Sequence, residues 1–361
     1  MSDVPVALRL VRVRVPLLAP HRSANGIETM RDSVLVGWTR PDGVQGWGEC
    51  PTLAAPGYAT ETTDRAWAGL VAELGPAAVA GHTTFVSGLV AASSALADAA
   101  LDAHLRADSC SLVDHIGGVR RPLPRCAVLA GLGETPDRLA ERALASASAG
   151  AAMVKVKVSP GHDVDVVRAV MAAVPGLDVA ADANGSYVGV DELGALDELG
   201  LAYLEQPLAA GSTWDELARA ADVLVTPIAL DESLTSADAV QSAVRAGAVD
   251  VVSVKPARLG GVTAAAVAVG AAAAAGVPAF VGGMFELGIG RAGASALATL
   301  PGCTLPTDLG PSEVYVETDV CDPVVVDDAG LLLVPDGDGC GRTPDPQRLA
   351  RFTVDEVLLG R

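Results

Sequence analysis

Lysine is nearly missing from this chain: positions 155, 157 and 255 carry the only three, against 22 arginines in 361 residues. Aromatic residues make up 3 %, so the core has to be built from Ala, Val and Leu, which a half-apolar composition supplies. Histidine stops at His162, so no later segment can offer an imidazole base. The six cysteines (50, 110, 126, 303, 321, 340) contain no CxxC pair and read as reduced structural thiols. No uninterrupted apolar segment opens the chain, because Asp3, Arg9, Arg12 and Arg14 break "MSDVPVALRLVRVRVPLL"; a secretory signal is not expected and the expected compartment is the cytoplasm. A net charge of −19 opposes phosphate backbones and anionic bilayers, so neither nucleic acid nor a membrane is an expected partner. The 27 residues between Arg258 and Glu286 carry no charge, but they are rich in Ala and Gly and broken at "GVP", which predicts a buried helix and then a buried strand.

Residues 5 to 50 read as three strands, "VALRLVRVRV", "DSVLVGWT" and "VQGWGEC", the second after a polar loop "HRSANGIETMRD" (21 to 32) and the third after the turn "RPDG". Ala-rich helical segments follow, giving an α+β capping domain over residues 1–122. From 123 to 315 short Val-rich strands alternate with Ala-rich helices, from "CAVLAG" through "MVKVKV", "DVAADAN", "LAYLEQP", "TPIALDES", "VVSVKP" and "PAFVGG" to "CTLPTD". Spacings of 25, 23, 26 and 24 separate Lys157, Asp182, Glu205, Asp231 and Lys255, and steps of 27 and 23 lead on to Gly282 and Leu305. A repeat near 25 is one strand, one helix and two short loops; eight in series specify a parallel (β/α)8 barrel. The rival, a doubly wound sheet, would show a Gly-rich phosphate loop after its first strand, and none is present. Residues 316–361 are expected to return to the capping domain.

Barrel active sites form where the strands end, so these five charged residues would stand around one mouth. Three successive strands supply Asp182, Glu205 and Asp231, a self-repelling cluster whose all-oxygen donors suit Mg2+ better than zinc. Lys155 and Lys157, two apart on a strand, point to one face. Mutual repulsion and partial burial would both lower their pKa from roughly 10.4, so that one can accept a proton, which arginine cannot. Lys255 would approach from the far side. Singly, a KxK strand is a layer-filling or solvated pair and a strand-end acid is a helix N-cap. Five such residues at barrel spacing, using every lysine, point to chemistry.

The motifs "KVK" (155–157), "DANGSY" (182–187), "EQP" (205–207), "LDES" (230–233) and "KPARLGG" (255–261) resemble those of the enolase superfamily, muconate cycloisomerase-like group. "GWGEC" (46–50), "YATET" (58–62), "GGMFELGIGR" (282–291) and "TLPTD" (304–308) are similar to the o-succinylbenzoate synthase and N-succinylamino acid racemase subfamily. The resemblance implies a modified barrel with a capping domain and Mg2+, for which Mn2+ can substitute, on Asp182, Glu205 and Asp231. It further implies Lys157 as general base, Lys155 as its modulating neighbour and Lys255 as the opposite cation. In a synthase Lys157 would remove the proton beside the substrate carboxylate and return it to the departing hydroxyl; in a racemase Lys157 and Lys255 would exchange roles across one intermediate.

By the same resemblance Asn184, Gly283, Met284, Phe285 and Tyr58 contact a small carboxylate substrate, and Arg258 and Glu232 stand behind the metal and Lys255. Loop 21–32 is expected to fold over the mouth. Leu129 stands where many relatives have a serine facing the substrate, and "TLPTDLG" offers only Asp308 where dipeptide epimerases carry paired aspartates. The expected activity is the o-succinylbenzoate synthase dehydration of menaquinone biosynthesis, with N-succinylamino acid racemisation beside it, in a homo-oligomer. The alternatives are a dedicated racemase, a muconate-type cycloisomerase, a pyridoxal phosphate enzyme with a lysine Schiff base, and an idle barrel kept as a binding protein.

Overall fold

A computed structural model describes residues 4–23, 26–55, 59–82 and 86–360, with the side chains of residues 20–27 outside that set. Two sheets organise the chain. The first is antiparallel, ordered β11-β1-β2-β3, from β1 (Ala7–Ser23), β2 (Gly26–Thr39), β3 (Gln45–Cys50) and the C-terminal β11 (Thr353–Gly360). Sequence patterning predicts three of these strands. The fourth is missed because "TVDEVLLG" is an edge strand whose side chains are mostly exposed, with only Val357 and Leu359 packed on the cap core. The segment read as a polar loop over 21–32 is also largely strand, since β1 and β2 continue their ladder from Pro16 and Met30 to Ser23 and Gly26 across a bulge.

The second sheet is parallel, ordered β10-β9-β8-β7-β6-β5-β4. Its strands are β4 (Cys126–Leu129), β5 (Met153–Lys157), β6 (Asp178–Asp182), β7 (Leu204–Glu205), β8 (Ile228–Leu230), β9 (Val251–Val254) and β10 (Ala279–Val281). The eighth expected strand, in "CTLPTD", makes no continuous ladder, yet it closes the ring. Ala279 N donates to Gly302 O and Asp308 N to Val281 O on one side, while Cys126 N donates to Thr307 O (2.8 Å) on the other. Pro306 has no N–H to give, which helps keep this stave to isolated bridges. The fold is a modified (β/α) barrel with an α+β cap.

Strand alternation sorts the barrel residues. Val154, Val156, Ala181, Leu204, Leu230 and Val254 point outward to the helices. Inward, Met153, Ala180, Tyr203, Ala229, Val251 and Phe280 fill the floor, with Tyr203 stacked on Phe280 at 5.4 Å between centroids. Two residues further along, four of these staves carry a charge, Lys155, Asp182, Glu205 and Asp231, while the next carries Ser253 there and Lys255 two residues beyond it.

The cap is seated on that charged end. Its helix Val90–Ala107 lies so close to β3 that a Cβ on Gly46 or Gly48 would fall 2.1 Å from helix backbone, so both positions require glycine. Ser94 Oγ of the same helix donates to Ala257 O (3.1 Å), and Asp98 Oδ1 accepts from Val262 N (2.9 Å) at the start of helix Val262–Ala274. Glu49 accepts from Leu287 N (2.8 Å) and Gly290 N (2.9 Å), capping helix Gly288–Leu297 after β10. Among the described residues no helix is long and apolar enough to cross a membrane.

Candidate active site

A cavity of about 390 Å3 opens at the C-terminal ends of the barrel strands. Lys155, Lys157, Asp182, Glu205 and Lys255 line it, as do Asn184, Glu232, Gly283, Met284 and Phe285. Asp231 and Arg258 are not part of its wall but stand immediately behind Lys255. Tyr58 lies outside the described residues. Leu129 does not face the cavity: as the odd position on β4 it points into the outer core, and Val128 and Ala130 take the wall.

The ionic contacts fall into three sets, one per lysine. Lys155 Nζ donates to both Glu205 and Asp308, with Phe280 5.0 Å beneath it, and its side chain is only 3 % exposed. Lys157 Nζ, at the cavity surface, donates to Asp182 Oδ2 (3.1 Å) and to Asn184 Oδ1. Asn184 Nδ2 in turn donates to Glu232 Oε1 (2.8 Å). Lys255 Nζ donates to Asp231 Oδ2 (2.8 Å), whose other oxygen accepts from Arg258 Nη2 (2.5 Å) and Ser253 Oγ (3.1 Å).

These partners overturn one expectation about the lysine pair. Burial pulls the Lys155 pKa down, but Asp308 and Glu205 outweigh it and carry it well above the ordinary lysine value. The two carboxylates thus favour the ammonium form of Lys155, contrary to the lowered value expected from the sequence. The carboxyls differ as well. Burial raises Asp182, and Lys157 and Lys155 bring it back below its usual range. Burial likewise raises Asp231, and Arg258 with Lys255 overcome it, leaving a carboxylate held well down. Glu205 is pushed up to about 8 by burial, with Asp182 and Asp231 adding to that against the pull of Lys155.

Three carboxyls from adjacent staves, the middle one needing more positive charge than Lys155 supplies, are a donor set that fits a hard divalent cation. As they stand, each is turned to a lysine, and among the described residues no three acidic, His or Cys side chains are grouped as ligands. The donor chemistry therefore fits an ion, while the present contacts belong to the lysines.

Three of the four non-glycine residues with positive φ among those described sit at this mouth: Asn184 (43°), Gln206 (41°) and Phe285 (58°). Asn tolerates this conformation, whereas for Phe it is strained and directs the ring edge-on to Tyr315 at 5.5 Å. Gln206 of "EQP" accepts at Oε1 from Asp231 N and Ser233 N (both 3.1 Å), tying the end of β7 to the end of β8.

Sequence reasoning missed Asp308 as a partner of Lys155, and it missed Glu286, Arg291 and Tyr315 on the wall. Asp308 ends the eighth stave, which makes only isolated bridges around Pro306, so no strand alternation marks it as inward. Arg291 and Tyr315 come from a helix and a later loop, where no strand-end rule applies; Arg291 donates to Gly310 O (2.7 Å) and Glu286 O and lies over the Tyr315 ring.

Residues 138–348 match the family described as enolase C-terminal domain-like. An N-succinylamino acid racemase from an Amycolatopsis species is 39 % identical over 98 % of each chain. An o-succinylbenzoate synthase from Geobacillus stearothermophilus is 35 % identical over 95 % of this chain and 94 % of that one. Among solved structures, a probable mandelate racemase from Alicyclobacillus acidocaldarius superposes with a TM-score of 0.90 at 35 % identity, covering 98 % of this chain and 97 % of the other. With lysines on facing staves of its barrel mouth, a family match over residues 138–348 and relatives that cover 95 to 98 % of its length, this chain is a member of the enolase superfamily.

Proposed function

We propose that this protein is a Mg2+-dependent o-succinylbenzoate synthase that also racemises N-succinylamino acids. The observation that carries the reading is that Lys157 and Lys255 line one cavity from β5 and from the end of β9, four staves apart in a ring of eight and hence opposite each other. Asp182, Glu205 and Asp231 would hold the ion, and Mn2+ would substitute for it. When bound, the ion supplies positive charge beside the substrate carboxylate.

The chain's residues do the rest. Lys157 takes the proton next to that carboxylate, the Lys255 ammonium faces the charge that develops, and Lys157 gives the proton back to the departing hydroxyl. In racemisation the second proton comes from Lys255, on the other face. Leu53 of the cap with Met284 and Phe285 presents the apolar wall that excludes water. The likeness to a probable mandelate racemase does not change the assignment, since this chain has no histidine beyond His162 to act as base. A dedicated racemase is the second reading, favoured by Arg258 sharing Asp231 with Lys255. The working compartment is proposed to be the cytoplasm, in keeping with six unpaired cysteines, and the division into 1–122, 123–315 and 316–361 is part of the same reading.

The test is the purified protein with Mg2+, given the cyclohexadiene carboxylate and an N-succinylamino acid, compared by kcat/KM. Turnover of the first, lost on chelation and restored by Mg2+, is expected. Absence of both activities in the metal-loaded protein would contradict the proposal.

A further inference from the structure

Asp308 has no part in the proton transfers, yet it lines the cavity with its side chain only 8 % exposed and set against Lys155. Its backbone is fixed by Asp308 N donating to Val281 O (3.1 Å), and the adjacent Thr307 Oγ1 donates to the same carbonyl (2.7 Å). Asp308 Oδ1 is buried with no hydrogen-bond partner among the described residues, so the carboxylate is committed to Lys155 through Oδ2. Lys155 divides its ammonium between Asp308 and Glu205. In the proposed function Glu205 also has to serve the divalent ion, so ammonium and metal compete for one carboxylate. Charge-assisted bonds are strong in a buried site, and the outcome of that competition depends on how firmly something else holds the ammonium.

We infer that Asp308 is a positioning residue that draws Lys155 off Glu205 and thereby sets the affinity of the metal position. The inference rests on the metal reading given above. Take Asp308 away, and the whole hydrogen-bonding capacity of Lys155 turns on Glu205. Positioning through Lys155 differs from a mere contribution of negative charge, because it vanishes when Lys155 is absent.

The experiment is calorimetric titration of Mg2+ into the full chain as wild type, Asp308→Asn, Lys155→Met, the double variant and Glu205→Gln, with each variant's melting temperature recorded. Asp308→Asn is expected to weaken Mg2+ binding about tenfold, in the range seen when groups behind metal ligands are removed. In the Lys155→Met background the same change should alter affinity by less than about twofold, a coupling that only a double-mutant cycle reveals. Equal weakening in both backgrounds, or no weakening in either, would overturn the inference. Should Asp308→Asn fail to fold, Lys155→Met alone decides: removal of the competing ammonium is expected to tighten Mg2+ binding, and weaker binding overturns the idea. Failure of the wild type to bind Mg2+, or normal binding by Glu205→Gln, would bring down the metal reading itself and is distinct from a wild type that binds while Asp308→Asn is unaffected.

Discussion

Lys157 and Lys255 face the same cavity, but their surroundings differ in ways that match different duties. Lys157 ends β5 between Asp182 and the amide oxygen of Asn184, with 14 % of its side chain exposed, and the groups around it are polar and few. Lys255 is held by Asp231, a carboxylate already claimed by Arg258 and Ser253, so it is one of several donors on a single acceptor. It is also crowded from the next stave: a Cβ on Gly282 would fall 2.8 Å from Lys255 Cε, so the glycine there leaves the room the lysine occupies. The two amines are almost equally covered, 14 % and 11 % exposed, and differ in their partners: a carboxylate and an amide oxygen for Lys157, and for Lys255 a carboxylate shared with a guanidinium and a hydroxyl. In the proposed function the first exchanges protons in both reactions and the second acts as a base in racemisation alone.

That asymmetry is broken most severely by Lys157→Arg. The charge persists but cannot be surrendered at working pH, so both dehydration and racemisation should fall by about 10³-fold in kcat, the scale of general base catalysis. Steady-state assay of both reactions measures this, and near-normal turnover in either would remove Lys157 from its role. Lys255→Arg should separate the reactions, costing racemisation about 10²-fold or more and dehydration about tenfold, because dehydration needs only a cation there. Equal losses would contradict the division between flanks. A smaller effect is expected of Gly282→Ala, which pushes on the flexible end of Lys255. Racemisation should drop several-fold more than dehydration, as judged by the ratio of the two kcat/KM values, and an unchanged ratio would show that the space beside Lys255 does not matter.

Much of this arrangement is legible in the sequence because strands impose a period of two and the βα unit a period near 25. Those rules suffice to set Lys157, Asp182, Glu205 and Lys255 around one mouth. They fail where the ladder fails. The eighth stave, interrupted at Pro306, gives no alternation to read, so Asp308 was seen only as a departure from another family and not as the counter-ion of Lys155. Leu129 is set toward the substrate only by its resemblance to a serine position in relatives; Cys126 in the floor makes Val128 and Ala130 the inward positions on this strand. The charge of Lys155 is not legible in the sequence, since its two acids lie 50 and 153 residues away and their pull outweighs the burial that would lower its pKa.

The smallest effect concerns the support beneath the Lys255 flank. Glu49 of the cap holds the start of the helix that follows the loop Gly283–Glu286, and burial pushes its carboxyl up to about 7 despite backbone hydrogen bonds from Leu287 and Gly290. Between the ordinary glutamate range and 7, the folded protein holds a proton that the unfolded chain has released. Stability from this group is therefore present at low pH and declines as pH rises through that window. Glu49→Gln should lose this decline, giving a smaller fall in melting temperature between pH 5 and pH 8 than the wild type, and parallel curves would contradict the assignment.

The claim that two amines exchange the proton of one substrate carbon from opposite faces is tested most directly by deuterium exchange at the α-carbon of each N-succinylamino acid enantiomer in D2O, followed by NMR. Lys255→Arg is predicted to exchange one enantiomer and Lys157→Arg only the other, each without inversion. Exchange of both enantiomers by either variant, or of neither by both, would contradict the account.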